Sequence, residues 1–188
     1  MSKLLILDRD GVINEDSDEF IKSVSECNFI PGSVDAIARL YSAGYRVFVA
    51  TNQSGLARGL FSEIDLANIH QAINAEIELA GGQIDGFFYC PHGPDDQCDC
   101  RKPKTGLLRQ IESEFGVSLR NAPFVGDSLR DLQAAEAAGC EPVLVLTGKG
   151  QATLVKGLPP GLESTRIYKD LAAFAEAQLN IDPSGGSQ

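Results

Sequence analysis

Apolar residues along this chain fall into short unbroken runs, and between the runs they recur at helical spacing. Runs of about four to eight apolar residues bounded by turn residues predict buried strands, whereas an i, i+3, i+4 recurrence predicts amphipathic helices. On that basis strands are predicted at 4–7, 46–50, 87–89, 123–125, 142–146 and 166–168. Helices are predicted at 33–43, 62–80, 105–115, 129–138 and 170–179. The first helix carries Val34, Ile37, Ala38 and Leu40 on one side, with Ser33 as its cap and Gly44 at its end. Gly81-Gly82 stops the second helix and Gly139 the fourth. Residues 12–32 mix Asn, Asp, Ser and Pro and read as irregular.

Strand–helix alternation predicts an α/β fold, a doubly wound parallel sheet with helices on both faces. No repeat or linker divides the 188 residues, so one domain is expected over 1–181, followed by a flexible polar tail at 182–188. The net charge of −10 argues against a general nucleic-acid partner, because phosphate backbones select clustered Lys and Arg. No apolar run approaches the ~20 residues of a membrane span, and the start of the chain lacks a signal-peptide core. A cytoplasmic protein without a membrane partner is expected, and few helices offer an apolar outer face, so a monomer is expected too.

The first strand runs directly into Asp8-Arg9-Asp10-Gly11. Chemistry in open parallel sheets collects at the carboxyl ends of strands. Two residues apart on an extended chain, Asp8 and Asp10 face one pocket, and Gly11 leaves the backbone free to turn. Like charges that close need a cation between them or a shared proton. The pair therefore points to a metal, to a nucleophile with its acid/base partner, or to both. Three further segments fall at strand ends: Thr51-Asn52, Arg101-Lys102 and Gly126-Asp127. A nucleophile, an acid, a hydroxyl, a cation and a third carboxylate together suit phosphoryl transfer, which depends mostly on positioning and charge stabilisation.

Of the five cysteines, Cys27 and Cys140 are isolated, while Cys90, Cys98 and Cys100 cluster with His92 in the loop 90–100. Three sulfurs and one imidazole are the ligand set of a closed, structural Zn²⁺ site. Such a loop has no core of its own, so a metal would fix its shape and pin Arg101 and Lys102 behind it. About forty residues separate Asp10 from Thr51, which leaves little room for a large cap domain once a helix and a strand are counted, and no cap is apparent between Lys102 and Asp127.

The segments LLILDRDGVIN, VATNQSG, CRKPK and FVGDSLRD, in this order, resemble the four motifs of the haloacid dehalogenase superfamily. The resemblance implies its Rossmann-like fold and a phosphatase that works through a phosphoaspartate. By it, Asp8 is the nucleophile and Asp10 the acid and base. Mg²⁺ is held by Asp8, the Asp10 carbonyl and Asp127, with Asp131 orienting its surroundings. Thr51 and Lys102 stabilise the phosphoryl group. Within the superfamily, TNQSGLARG and the C-x-H…CDCRKP loop are similar to phosphatases of heptose bisphosphates and of histidinol phosphate. The first implies removal of the 7-phosphate of a heptose 1,7-bisphosphate for surface glycans such as lipopolysaccharide; the second places the chain in histidine synthesis. A small phosphorylated sugar would then meet Asn52, Gln53, Ser54, Arg101, Asp16 and Glu19, with Arg101 as anchor for the distal phosphate and Arg58 and Lys149 as further cations. A catalytically silent, metal-stabilised binding module is the non-enzyme alternative, and the intact Asp8/Asp10 pair argues against it.

Overall fold

The strands foreseen from apolar runs assemble into one parallel sheet in the order β3-β2-β1-β4-β5-β6. They are β1 (Lys3–Leu7), β2 (Tyr45–Asn52), β3 (Gly86–Cys90), β4 (Pro123–Gly126), β5 (Glu141–Val145) and β6 (Arg166–Tyr168). The helices are α1 (Ser33–Ser42), α2 (Glu63–Leu79), α3 (Gly106–Phe115), α4 (Leu129–Ala137), α5 (Gly150–Lys156) and α6 (Leu171–Ile181). The computed structural model describes residues 3–181, so the polar tail read at 182–188 lies outside the described residues. Among the described residues no helix is long and apolar enough to cross a membrane.

Side chains alternate across a strand, and the two halves of the core separate accordingly. Leu5 and Leu7 join Val47, Val49, Val125 and Val143 beneath α1, α2 and α6. Leu4 and Ile6 join Phe48, Ala50 and Phe124 beneath α3 and α4. Both faces are covered, which is why the strands read as continuous apolar runs rather than alternating ones. Full burial of Leu5 or Ile6 contributes about 1.5–3 kcal/mol each.

Strand order reverses at β1, which pairs with β2 through Leu7↔Val49 and with β4 through Leu7↔Val125. A crevice opens beyond the carboxyl ends at such a switch point. Asp8 stands at its floor, where its N–H continues the ladder to Val125 O at 2.9 Å.

Two local readings change. Ser33 is not the α1 cap: Gly32 holds that position in a left-handed conformation at φ 82°. The Ser33 hydroxyl instead donates to Ile13 O at 2.7 Å, tying the helix to the irregular segment. Helix α5 was not foreseen, because Gly-Gln-Ala-Thr-Leu-Val-Lys is too short to show a period. Helix α2 follows its pattern closely, with Leu66, Ile69, Ile73 and Ile77 buried and a reciprocal Ser62–Asp65 capping box at its start.

Candidate active site

Strand β1 ends at Leu7, and the next residues coil into a tight turn in which Ile13 N–H donates to Arg9 O at 2.8 Å. Gly11 turns the chain at φ 81°, and a side chain there would collide with the Asp127 carboxylate. Asp8 and Asp10 line the same cleft, as the spacing predicts, along with Thr51, Asn52, Ser54, Arg101 and Lys102.

Lys102 is the hub of the cleft floor. Its side chain is 2% exposed, and Nζ lies 2.9 Å from Asp8 Oδ1 and 2.7 Å from Asp131 Oδ1. Its third contact is Ala50 O at 2.8 Å. Burial opposes the ammonium charge, but Asp131 and Asp8 outweigh it and hold the lysine above its usual range. Asn52 fixes the lysine backbone reciprocally: Lys102 N–H donates to Asn52 Oδ1 at 3.0 Å, and Asn52 Nδ2 donates to Lys102 O at 3.1 Å. Asp131 works on two sides, since its Oδ2 accepts from Ser128 N–H at 3.0 Å at the start of α4. Burial resists that carboxylate, but Lys102 and Ser128 keep it below the usual range.

The other two carboxylates of the floor are stressed in the opposite direction. Burial and the charge of Asp131 push Asp8 up to about 7, despite Lys102. Burial, with Asp131 and Asp8, pushes Asp127 to about 8. Asp8, Asp127 and Asp131 offer oxygens within 4.8 Å of one another. With Asp131 already committed to Lys102, the floor holds more negative charge than its single buried ammonium balances. A hard cation between Asp8 and Asp127 is what this donor set fits. Asp127 Oδ2 is enclosed on its far side by Lys149 N–H, which donates at 2.7 Å, and by Gly11 and Gly148, whose backbones leave no room for a side chain.

Asp10 differs from its neighbours. Arg9 donates to it through Nε at 3.0 Å and through Nη2 at 2.8 and 3.0 Å. Asn14 Nδ2 and Gln53 Nε2 add bonds at 2.9 and 2.8 Å. Burial opposes its charge, but Arg9 and these amides win and hold Asp10 below the usual carboxylate range. Gln53, expected to meet substrate, lines the cleft at 3% exposure and bridges Asp10 to Thr51, whose Oγ1 accepts from Nε2 at 3.0 Å. That leaves the buried Thr51 hydroxyl its own proton to donate.

Toward the mouth, Asp16 and Ser54 line the cleft, and Asp16 pairs with Lys149 Nζ at 2.8 Å. Lys149 is therefore already engaged. Glu19 is exposed and lies outside the lining, so the structure does not bring it to the site. Arg101, Arg58 and Arg130 share the lining, and burial together with Arg130 and Arg58 lowers the pKa of the Arg101 guanidinium. Arg130 had no sequence signal beyond its place in α4. Arg9, Asn14 and His70 were missed as well, although Arg9 stands between the two aspartates that drew attention.

Loop 90–100 gathers its four donors as foreseen. Cys90 Sγ lies 3.7 Å from Cys98 Sγ and 3.6 Å from His92 Nδ1, and His92 Nδ1 lies 3.2 Å from Cys100 Sγ. Thiolates bound to a shared tetrahedral Zn²⁺ stand about 3.8 Å apart, close to the first of these values. Cys90 and Cys100 are nearer, at 2.8 Å. The donor chemistry fits zinc, and the loop hands the chain straight to Arg101, whose Nη1 donates back to His92 O at 3.2 Å.

The HAD-hydrolase-like family profile matches residues 99–174. The chain is 55% identical to the D-glycero-beta-D-manno-heptose-1,7-bisphosphate 7-phosphatase of Bordetella bronchiseptica over 94% of its own length and 98% of that protein. It is 56% identical to the Pseudomonas aeruginosa protein of the same name, covering 94% of this chain and 97% of that one. Among solved structures, the D,D-heptose 1,7-bisphosphate phosphatase of B. bronchiseptica, complexed with magnesium and phosphate, superposes with a TM-score of 0.91 at 55% identity, covering 95% and 99% of the two chains. The Burkholderia thailandensis enzyme gives 0.72 at 46% identity, covering 94% and 98%. With its carboxylate floor, thiolate loop and near full-length similarity, this chain belongs to the D-glycero-beta-D-manno-heptose-1,7-bisphosphate 7-phosphatase family of haloacid dehalogenase-like hydrolases.

Proposed function

We propose that this protein is a Mg²⁺-dependent phosphatase that removes the 7-phosphate of D-glycero-D-manno-heptose 1,7-bisphosphate through a phosphoaspartate on Asp8. The observation that carries the reading is the similarity to the Bordetella bronchiseptica 7-phosphatase over 98% of its length, joined to a buried Asp8–Lys102–Asp131 floor.

Asp8 Oδ1 accepts from Lys102 Nζ and from Arg9 N–H at 2.8 Å, which leaves Oδ2 to bond phosphorus. As the Asp8 oxygen–phosphorus bond forms, the bond from phosphorus to the C7 oxygen breaks, and Asp10 gives that oxygen its proton. Asp10 is depressed in the resting enzyme, and a phosphate dianion beside it raises its affinity for a proton. In the second half Asp10 takes a proton from water as the water oxygen attacks phosphorus. As that bond forms, the acyl-phosphate bond to Asp8 breaks, releasing phosphate and restoring the carboxylate. Mg²⁺ held by Asp8, Asp127 and the Asp10 carbonyl supplies positive charge between nucleophile and phosphoryl oxygens. As charge passes from Asp8 to those oxygens, the Lys102 hydrogen bond follows it, and the Thr51 hydroxyl donates to another.

Arg101 anchors the distal phosphate, with Arg58 and Arg130 on the same wall; a guanidinium meets phosphate through two parallel bonds. Binding energy from this remote anion becomes available at the transition state. Asp16, Asn52 and Ser54 lie where the sugar hydroxyls pass. Five free cysteines, with Cys90, Cys98 and Cys100 clustered, suit a reducing cytoplasm. Exposed apolar residues such as Ile64, Leu79 and Val155 are scattered, which favours a monomer.

Phosphate release from heptose 1,7-bisphosphate and from L-histidinol phosphate, measured side by side with Mg²⁺, tests the substrate. A preference of about 100-fold for the heptose, about 2.7 kcal/mol of transition-state discrimination, is expected. Preference for histidinol phosphate would overturn the substrate and keep the chemistry; turnover of neither would overturn both.

A further inference from the structure

Arg9 is a fully buried arginine that the reaction as written does not use. It sits between Asp8 and Asp10 with 0% exposure, yet its guanidinium turns back onto the adjacent carboxylate instead of reaching solvent. Three of its hydrogen bonds go to Asp10: Nε to Oδ1 at 3.0 Å, and Nη2 to Oδ1 and Oδ2 at 2.8 and 3.0 Å. Its remaining nitrogen, Nη1, donates to His70 Nε2 at 3.3 Å. His70 belongs to α2 and is 8% exposed, with its ring stacked on Phe87 of β3 at 4.5 Å and 15°. The bracing thus runs from the carboxylate through Arg9 into a helix and a strand outside the catalytic turn.

We propose that Arg9, braced by His70, is the positioning residue that sets the angle and depth from which the Asp10 carboxyl delivers and recovers its proton. The inference rests on the reading of Asp10 as acid and base. Charge neutralisation alone does not require this arrangement. A lysine is a point charge that leaves a carboxylate free to rotate, whereas a two-nitrogen contact fixes the carboxylate plane. Burying a guanidinium also carries a desolvation cost that an apolar residue at this fully buried position would avoid. Proton transfer in the transition state depends on geometry before acidity.

The His70 end is equally determined. A guanidinium has no acceptor, so Nη1 donates and Nε2 must carry a lone pair, which places the imidazole proton on Nδ1. Burial and the Arg9 charge push the His70 pKa down to about 3, so the acceptor persists throughout the neutral range.

A leaving-group comparison tests the proposal. p-Nitrophenolate departs without protonation, whereas a sugar alkoxide does not. Arg9→Met is expected to lower kcat on heptose 1,7-bisphosphate by about 100-fold with KM changed less than about 3-fold. On p-nitrophenyl phosphate its first turnover should fall less than about 5-fold, giving a one-equivalent burst of p-nitrophenol before a slow steady state, because only the water step still needs Asp10. His70→Phe retains the stack on Phe87 without the acceptor and should show the same split at about 10-fold, with His70→Gln restoring most of the loss. This pair decides the matter should Arg9→Met fail to fold. Equal losses on both substrates without a burst, or no loss, would overturn the positioning role. Asp10→Asn is run in parallel: absence of its burst would sink the reading of Asp10 itself, whereas its presence with no burst in the Arg9 and His70 variants would sink this inference alone.

Discussion

The cleft floor and the thiolate loop both gather metal-binding side chains, but they are built in opposite ways. The floor draws Asp8 from just past β1, Thr51 from β2, Lys102 from beyond β3 and Asp127 from just past β4, and its carboxylates are held by Lys102, backbone N–H groups and amides. The loop draws Cys90, His92, Cys98 and Cys100 from one stretch whose residues 94–97 are exposed, and among the described residues its donors meet chiefly one another. The first is a shape made by the sheet, into which a cation brings charge. The second is a shape that a cation makes. At the floor, where the scaffold is complete, a metal would serve chemistry; in the loop, where only Cys90 is anchored in β3 and the core, it would serve structure.

The sharpest way to break this contrast is Asp8→Asn. Activity should fall by on the order of 10⁴-fold or more, with the fold intact by circular dichroism. In chelator-treated protein at pH 8 the same change should raise stability by on the order of 1–2 kcal/mol, because it removes a carboxylate whose ionisation burial and Asp131 oppose up to about pH 7. A lower melting temperature would show that the floor depends on Asp8 for structure.

Next in size is Cys98→Ala, or removal of zinc by a tight chelator followed by restoration of Mg²⁺. Activity should drop by about 10- to 100-fold through looser Arg101 and Lys102, and hydrogen exchange should rise at 90–104 while β1 and β2 remain protected. Exchange spreading through the sheet would mean that the loop is part of the core. Arg101→Ala sharpens the link between the two regions: kcat/KM on the bisphosphate should fall by about 10- to 30-fold and on p-nitrophenyl phosphate by less than about 3-fold. Equal losses would place Arg101 in support of Lys102 rather than on the distal phosphate.

The smallest effect concerns His70, which touches neither metal site. Its pKa of about 3 in the fold lies below its ordinary 6.5, so below pH 6.5 the unfolded chain binds a proton that the native protein refuses. This contribution to stability is full above pH 6.5 and is lost as pH falls toward 3. Denaturant titrations at pH 7 and pH 5 should therefore show the wild type losing about 2 kcal/mol more than His70→Gln. Parallel losses would mean that the imidazole is protonated in place.

Much of the site was legible because its residues follow strands that announce themselves. Asp8, Thr51, Lys102 and Asp127 each stand just beyond an apolar run or a loop attached to one, and the thiolate loop is a single spacing. The hydrogen bonds were not legible. Lys102 lines the cleft at the foot of its strand-end segment, and only the structure shows its three protons held by Ala50, Asp8 and Asp131. Gln53 lines the cleft, and only the structure shows that it also bridges Asp10 and Thr51. Lys149 was read as an available cation, yet Asp16 occupies it. Glu19 shares a segment with Asp16 but not its direction.

Sequence alone determined the order of the strands along the chain, the burial of β1, β2, β4 and β5, and which chemistries the chain carries, since periodicity and residue type are local properties. Only the tertiary structure decided which donor meets which acceptor. Arg9 lies beside Asp10 in sequence but acquires its role from His70, on α2. Hydrogen bonds and ion pairs weaken steeply beyond about 3–4 Å, so partner choice belongs to the packing of distant segments.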